Sequence, residues 1–246
     1  MPSIRIFATL AVALAALPAQ ARQIHTVQID GARISIPIAS GYCVMDRNNA
    51  SDKRIIGYFE RVNTGRNRVL VTIADCRQLR DWRAGRRKLL GHYAYMTSPT
   101  HLKGRTISMP PARFAKEIER TFRRRGMEIV KRGNTVWRKR IEKELPTVRV
   151  NGNKFLGVLH TDQHASYIGL IQRVRTEAGT DKVVLGTTST GLVRGKVLSF
   201  NFYSDYTAGS GSRIGTVDGL LVVNTRFRQA MTEANQSGSR LKAVLP

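Results

Sequence analysis

The chain has 246 residues, with 41 lysines and arginines against 17 acids, a formal charge of +24 and 41% hydrophobic residues. That hydrophobic share is ordinary for a folded chain and excludes a disordered one, and the length suffices for one large domain or two small ones. A charge this far from zero bears on partners and solubility and excludes nothing about fold.

Residues 1–21 read as a secretory signal peptide. Arg5 supplies the positive start, Ile6 to Leu17 form the apolar run, and Ala19-Gln20-Ala21 makes an A-x-A cleavage site, which places the mature start at Arg22. A spanning helix needs about 20 apolar residues; this run is shorter and ends at Pro18. No cysteine near the cut offers a lipid attachment point, and no arginine pair precedes the run to mark the twin-arginine route. The expected location is periplasmic or secreted. No later segment is long and apolar enough to span a bilayer, so the mature protein is expected to be soluble. Cleavage removes only Arg5 and leaves 40 basic against 17 acidic residues, +23.

From Ile24 to Ile29 and from Ala32 to Pro37 apolar and polar residues alternate around Asp30-Gly31, which predicts a two-residue hairpin. Asn49 and Ser51 precede Ile55, Ile56, Phe59 and Val62 at helical spacing, with Gly65 as the stop. Arg68 to Asp75 reads as a strand leading into Cys76, and Lys88 to Met96 as another. Pro110 and Pro111 open a helix whose apolar stripe is Phe114, Ile118 and Phe122, with Gly126 as its cap. In the C-terminal half, Thr147 to Val150 and Lys154 to His160 flank Asn151-Gly152-Asn153 as a second hairpin. Strands follow at Ser166 to Arg175, Lys182 to Thr188 and Lys196 to Tyr203, the last after a turn at Arg194-Gly195. A stretch rich in glycine and serine, Thr207 to Ser212, leads to a final helix with Leu220, Val223, Phe227 and Met231 inward, ended by Asn235 to Ser239.

Cys43 and Cys76 are the two cysteines. An even count in an exported chain predicts a disulfide; a catalytic thiol would need one of them to stay reduced against its compartment. Hairpin-linked strands with helices between groups of them define an α+β class, a mainly antiparallel sheet flanked by two or three helices. A single domain over 22–246 is expected, the alternative being two tightly joined halves that meet near 133–146.

The run from Gly41-Tyr42-Cys43 to Asp75-Cys76, followed by Leu79, Trp82 and Arg83, resembles a pattern in small exported bacterial proteins with paired cysteines. With the strand Lys196 to Tyr203 and a helix ending Glu233-Ala234-Asn235, the order over Ile24 to Asn235 is similar to the PsbP-like fold, an antiparallel sheet flanked by helices. The resemblance implies an accessory or binding role and carries no catalytic residues with it.

Two segments concentrate the charge. Arg77, Arg80, Arg83, Arg86, Arg87 and Lys88 follow Cys76 with Asp81 as their one acid, and 12 basic residues face 5 acidic ones between Arg113 and Glu144. Arginine's planar fork suits phosphate and carboxylate. The residues expected to bind a polyanion are Arg83, Arg86, Arg87, Arg123, Arg124, Arg125, Arg138, Lys139 and Arg140. Their partner would be an anionic lipid, lipopolysaccharide, an acidic polymer or an acidic protein, bound in a salt-sensitive way. No zinc finger, helix-turn-helix or aromatic-and-basic RNA signature occurs, so sequence-specific nucleic-acid binding is not indicated.

The catalytic signals are sparse. His160, Asp162 and His164 could hold a metal, but they sit between two strands, where a polar turn is expected anyway. Ser210-Gly211-Ser212 fits no nucleophile elbow, and no P-loop or dinucleotide fingerprint appears, so no cofactor is expected. Asp46, Asp75, Asp205 and Asp218 could converge only through the fold, and Trp82 and Trp137 lie beside arginines. The expectation is a non-catalytic exported protein that binds an anionic envelope component. Its rivals are an envelope hydrolase with a metal site at His160 and His164, and an accessory subunit that docks on an acidic partner protein.

Overall fold

A computed structural model describes residues 23–144, 148–176, 179, 181–206 and 215–240. The expected signal peptide, the Ser210–Ser212 stretch, the C-terminal tail and the side chain of Trp137 lie outside what is described. The chain runs β1 (Ile24–Ile29), β2 (Ala32–Pro37), β3 (Tyr42–Val44), α1 (Ala50–Asn63), β4 (Asn67–Asp75), α2 (Cys76–Arg83), β5 (His92–Pro99), α3 (Pro111–Glu144), β6 (Val148–Thr161), β7 (Ser166–Thr176), β8 (Asp181–Val193), β9 (Lys196–Asp205) and α4 (Val217–Arg240).

Seven strands form one antiparallel sheet in the order β3-β4-β5-β9-β8-β7-β6. Both halves of the chain enter it, joined by the β5–β9 ladder. The fold is α+β as expected; among the described residues four helices, rather than two or three, flank the sheet. The expected turns form where positive φ is tolerated: Asp30 and Gly31 at φ 46° and 82° link β1 to β2, and Arg194 and Gly195 at 50° and 72° link β8 to β9. Asn49 caps α1, its Oδ1 accepting from the amides of Ser51 and Asp52.

Because side chains alternate across a strand, the sheet has two distinct faces. On one, Ile73, Ala94, Met96, Leu185, Phe200 and Phe202 pack under α4 and the β1–β2 hairpin. Leu220, Phe227 and Met231 of α4 are buried there as predicted, with the Phe227 ring stacked on Phe200 at 4.2 Å. Asn235 does not end this helix. Its side-chain amide donates to the Ser35 carbonyl at 2.7 Å and its Oδ1 accepts from the Ser35 amide at 2.9 Å, which ties α4 to the free edge of β2.

The opposite face carries α1, α2 and α3. The strand expected to lead into Cys76 does so, and α2, which the sequence did not announce, starts at that residue because the Asp75 carboxylate caps it by accepting from the Gln78 amide at 2.9 Å. Two local expectations fail on this face. Gly126 does not stop α3: the helix continues to Glu144, and the bare glycine lets Phe155 of β6 lie against it. Asn151-Gly152 makes no hairpin turn. Val150 pairs with Val174 and Gly152 with Arg173, so the intervening residue is a bulge in one long strand. In addition, Lys88 to Gly91 precede β5 rather than starting it, held by Gln78 Oε1, which accepts from the amides of Gly91 and His92.

The disulfide forms between Cys43 on β3 and Cys76 at the start of α2, 33 residues apart. Among the described residues no helix is long and apolar enough to cross a membrane.

Candidate functional site

The helix-bearing face of the sheet is not fully covered. α1 packs over β4 and β5, the end of α3 packs beside β6, and a cavity of about 340 Å³ remains between them. That volume lies at the lower end of small-molecule sites. Its floor is the sheet itself: Tyr93 and Tyr95 of β5, Tyr203 of β9, Val184 of β8 and Val174 of β7. Its walls are Ile55, Tyr58, Phe59 and Val62 of α1, Trp82 of α2, and Ile141 of α3.

The floor is an aromatic ladder. Phe59 stacks on Tyr95 at 4.5 Å, Tyr93 on Tyr203 at 5.2 Å, and Tyr95 on Tyr203 at 5.9 Å. The Tyr95 and Tyr203 hydroxyls lie 3.4 Å apart. Burial pushes the Tyr93, Tyr95 and Tyr203 phenols above their ordinary range, because a phenolate here would lose its water. Besides the tyrosine hydroxyls and the charged residues at its mouth, the lining carries the amide of Gln172. Gln172 is 6% exposed, and its amide has no hydrogen-bond partner among the described residues.

At the mouth, Lys182 Nζ donates to Asp205 at 2.6 Å, and the Arg54 guanidinium lies 5.8 Å from the centre of the Trp82 ring. A shallow basic depression lined by Asp81, Arg86, Arg87, Lys88, Leu89 and Lys182 adjoins it, sharing Leu89 and Lys182 with the cavity.

The expected polyanion residues divide into four groups. Arg83 and Arg140 have structural employment. Arg83 donates to Asp52, a fully buried carboxylate, through Nε at 3.1 Å and Nη2 at 2.5 Å. Arg140 donates to the carbonyls of Val62 and Thr64 at the C-terminus of α1, where a cation complements the helix dipole. Arg86, Arg123 and Arg125 pair with the surface acids Asp81, Glu119 and Glu128, the first two of them half-buried. Glu128 also takes Arg132, and these arginines hold the Glu119 and Glu128 carboxyls below the usual carboxylate range. Arg87 donates to the Leu89 carbonyl. Arg124, Arg138 and Lys139 are exposed and have no acidic partner among the described residues.

The length of α3 creates an arrangement that a helix stopped at Gly126 would lack. Arg113, Arg120, Arg124, Lys131 and Arg138 are all exposed. At 100° per residue they fall within about 40° of one line, and the row runs about 37 Å. Within it Arg120 is paired to Glu117, while Arg113, Arg124, Lys131 and Arg138 have no acidic partner among the described residues.

The structure does not gather His160, Asp162 and His164 into a metal-ligating group; among the described residues no three histidines, cysteines or acids converge. Asp162 instead shapes the β6–β7 turn. Its Oδ1 accepts from the amides of His164 and Ala165, and its Oδ2 accepts from the Tyr167 hydroxyl at 2.9 Å. Asp46, Asp75, Asp205 and Asp218 form no such group either.

His92, which looks isolated in the sequence, pairs across the strands with Ser204, Nδ1 to Oγ at 2.8 Å. Ser204 is fully buried, so this pairing presents no nucleophile to a substrate. The aromatic cavity leaves no continuous mark in the sequence. The alternating Tyr93 and Tyr95 were a signal for one strand face, but nothing local pairs them with Tyr203 or Gln172. No protein-family model and no curated protein matches the chain.

Proposed function

We propose that the protein is exported, to the periplasm or beyond, and acts as a non-catalytic binding protein for an anionic polymer of the cell envelope. The observation that supports this most is the row Arg113, Arg120, Arg124, Lys131 and Arg138 on the outer face of α3. A straight row of like charges on a rod costs free energy through self-repulsion, and an extended polyanion laid along it relieves that cost. Lys139 beside the row and the basic segment at Arg86 to Lys88 extend the positive surface. The N-terminal signal pattern and the disulfide support an oxidising location. The similarity in element order to PsbP-like proteins points to a binding role as well.

The test is retention on immobilised heparin and sedimentation with anionic vesicles over a salt series. Binding should weaken steeply with salt, and the triple reversal Arg124→Glu, Lys131→Glu, Arg138→Glu should lower the log–log salt slope by roughly 3. An unchanged slope in a variant that melts like the parent sinks the assignment to α3.

A further inference from the structure

We infer that the aromatic cavity binds a single-chain anionic amphiphile, its aliphatic tail in the chamber and its head group at the basic mouth. Three observations converge. The chamber is lined by Tyr, Phe, Val, Ile and Leu side chains and holds about 340 Å³, room for one chain rather than for a two-chain lipid. The mouth opens onto Arg54, Arg86, Arg87, Lys88 and Lys182, against which stand two acids, Asp81 and Asp205, each already engaged in an ion pair. Arg54 and Lys88 have no acidic partner among the described residues, so an anionic head completes a cluster that is otherwise in excess of positive charge.

The third observation is Gln172. An amide on an almost fully enclosed side chain that reaches its cavity is left to bond with whatever occupies that space, water or a polar group of a ligand. Gln172 lies nine-tenths buried in the lining, and the Tyr93 hydroxyl in the same lining has no hydrogen-bond partner among the described residues either. Neither group is needed to hold a hydrocarbon tail. Both suit an amphiphile that carries an ester, amide or hydroxyl between its chain and its head.

The site is separate from the α3 row. A ligand in the cavity meets α3 only at Ile141, on the side of the helix that packs inward. The two readings therefore fail separately, since the α3 charge reversals leave the cavity unchanged.

Calorimetric titration of the mature protein, below the micelle concentration, with dodecanoate and with the twelve-carbon lysophosphatidic acid decides the matter. One-to-one saturable binding of at least one is expected, with dodecanol bound at least tenfold more weakly and butyrate not at all. If the head is a phosphate on an ester linkage, lysophosphatidic acid binds more tightly. Gln172→Leu then lowers its affinity about fivefold, the worth of one hydrogen bond, without changing that for dodecanoate. If the head is a simple carboxylate, dodecanoate binds as tightly as lysophosphatidic acid. Val184→Trp fills the chamber and should abolish binding, with Leu90→Trp as a second filling variant should the first misfold. Arg87→Glu with Lys88→Glu should weaken the acids at least tenfold and spare dodecanol. Absence of saturable binding to the parent protein, or full binding to a filled variant that melts normally, overturns the proposal.

Discussion

A Cβ placed on Gly126 would lie 2.7 Å from Cζ of Phe155 and closer still to its Cε1, so α3 and β6 meet through a side chain that is missing. The Phe155 ring also faces Phe122 at 6.1 Å. In an isolated helix Gly→Ala gains about 1 kcal/mol. Here Gly126→Ala should instead destabilise the protein by up to about 2 kcal/mol, because an overpacking cost of roughly 1–3 kcal/mol opposes that gain. Urea unfolding of Gly126→Ala, Phe155→Leu and the double variant checks this. The double variant should be more stable than the two single losses added together; additive losses would show that the contact carries no strain.

Arg83 is expected to contribute to folding and nothing to polyanion binding. Its partner Asp52 is fully buried and also accepts from the Asp46 amide at 2.8 Å. Removing the guanidinium strands that carboxylate. Arg83→Ala should therefore cost about 2–4 kcal/mol, toward the lower side for a buried pair because Arg83 itself is partly exposed. The heparin salt slope of the folded variant should equal that of the parent. A reduced slope with unchanged stability would reverse the assignment.

Arg228 on α4 is fully buried, with Nη1 donating to the Leu198 carbonyl at 3.4 Å and no hydrogen-bond partner for Nε or Nη2 among the described residues. Burial pulls its pKa down to about 10, against the opposing pull of Tyr167 and Asp162. A buried charge so poorly satisfied contributes little net stability, and an apolar replacement of similar length removes its desolvation cost. Arg228→Met is expected to range from neutral to about 2 kcal/mol more stable. A loss above about 3 kcal/mol would show that the guanidinium is paired in solution.

Stability should fall on the alkaline side. An unfolded tyrosine ionises near pH 10. Burial holds Tyr93, Tyr95 and Tyr203 above that, and burial together with Asp75 pushes Tyr42 up to about 12. The stabilisation linked to these phenols is complete below pH 10. It is lost as pH rises through the folded values, because the unfolded chain releases protons that the folded chain keeps. Each such tyrosine contributes a slope of about 1.4 kcal/mol per pH unit, while Arg228, whose pKa burial lowers, acts in the opposite sense. Unfolding free energies between pH 9 and 11.5 should show the decline, and Tyr203→Phe should remove about one such increment of slope. A flat profile would contradict the burial of these hydroxyls.

The elements readable from the sequence are those whose signal is complete within a few residues. Asp30-Gly31 and Arg194-Gly195 need only their own positive φ to make hairpins, and Asn49 caps α1 through the two amides just after it. Where a local signal was overruled, a distant contact did it. Gly126 reads as a helix stop until Phe155 fills the space beside it, and Asn235 reads as a helix end until its amide meets Ser35, 200 residues away. Asp75 read as the end of a strand, and its second role as the cap of α2 was hidden among arginines.

The sequence by itself determined the charge, the cysteine pair and the alternation that makes the strands, because these depend on residue type and spacing along one stretch of backbone. The cavity and the mouth of the proposed site were decided by tertiary structure. Tyr93, Gln172, Lys182 and Tyr203 sit on four strands, and the strand order β5-β9-β8-β7 alone sets them on one face under α1. The same is true of the paired and unpaired arginines: Arg83 and Arg124 are chemically alike, and only the buried carboxylate of Asp52 separates a residue that holds the fold from one left facing solvent.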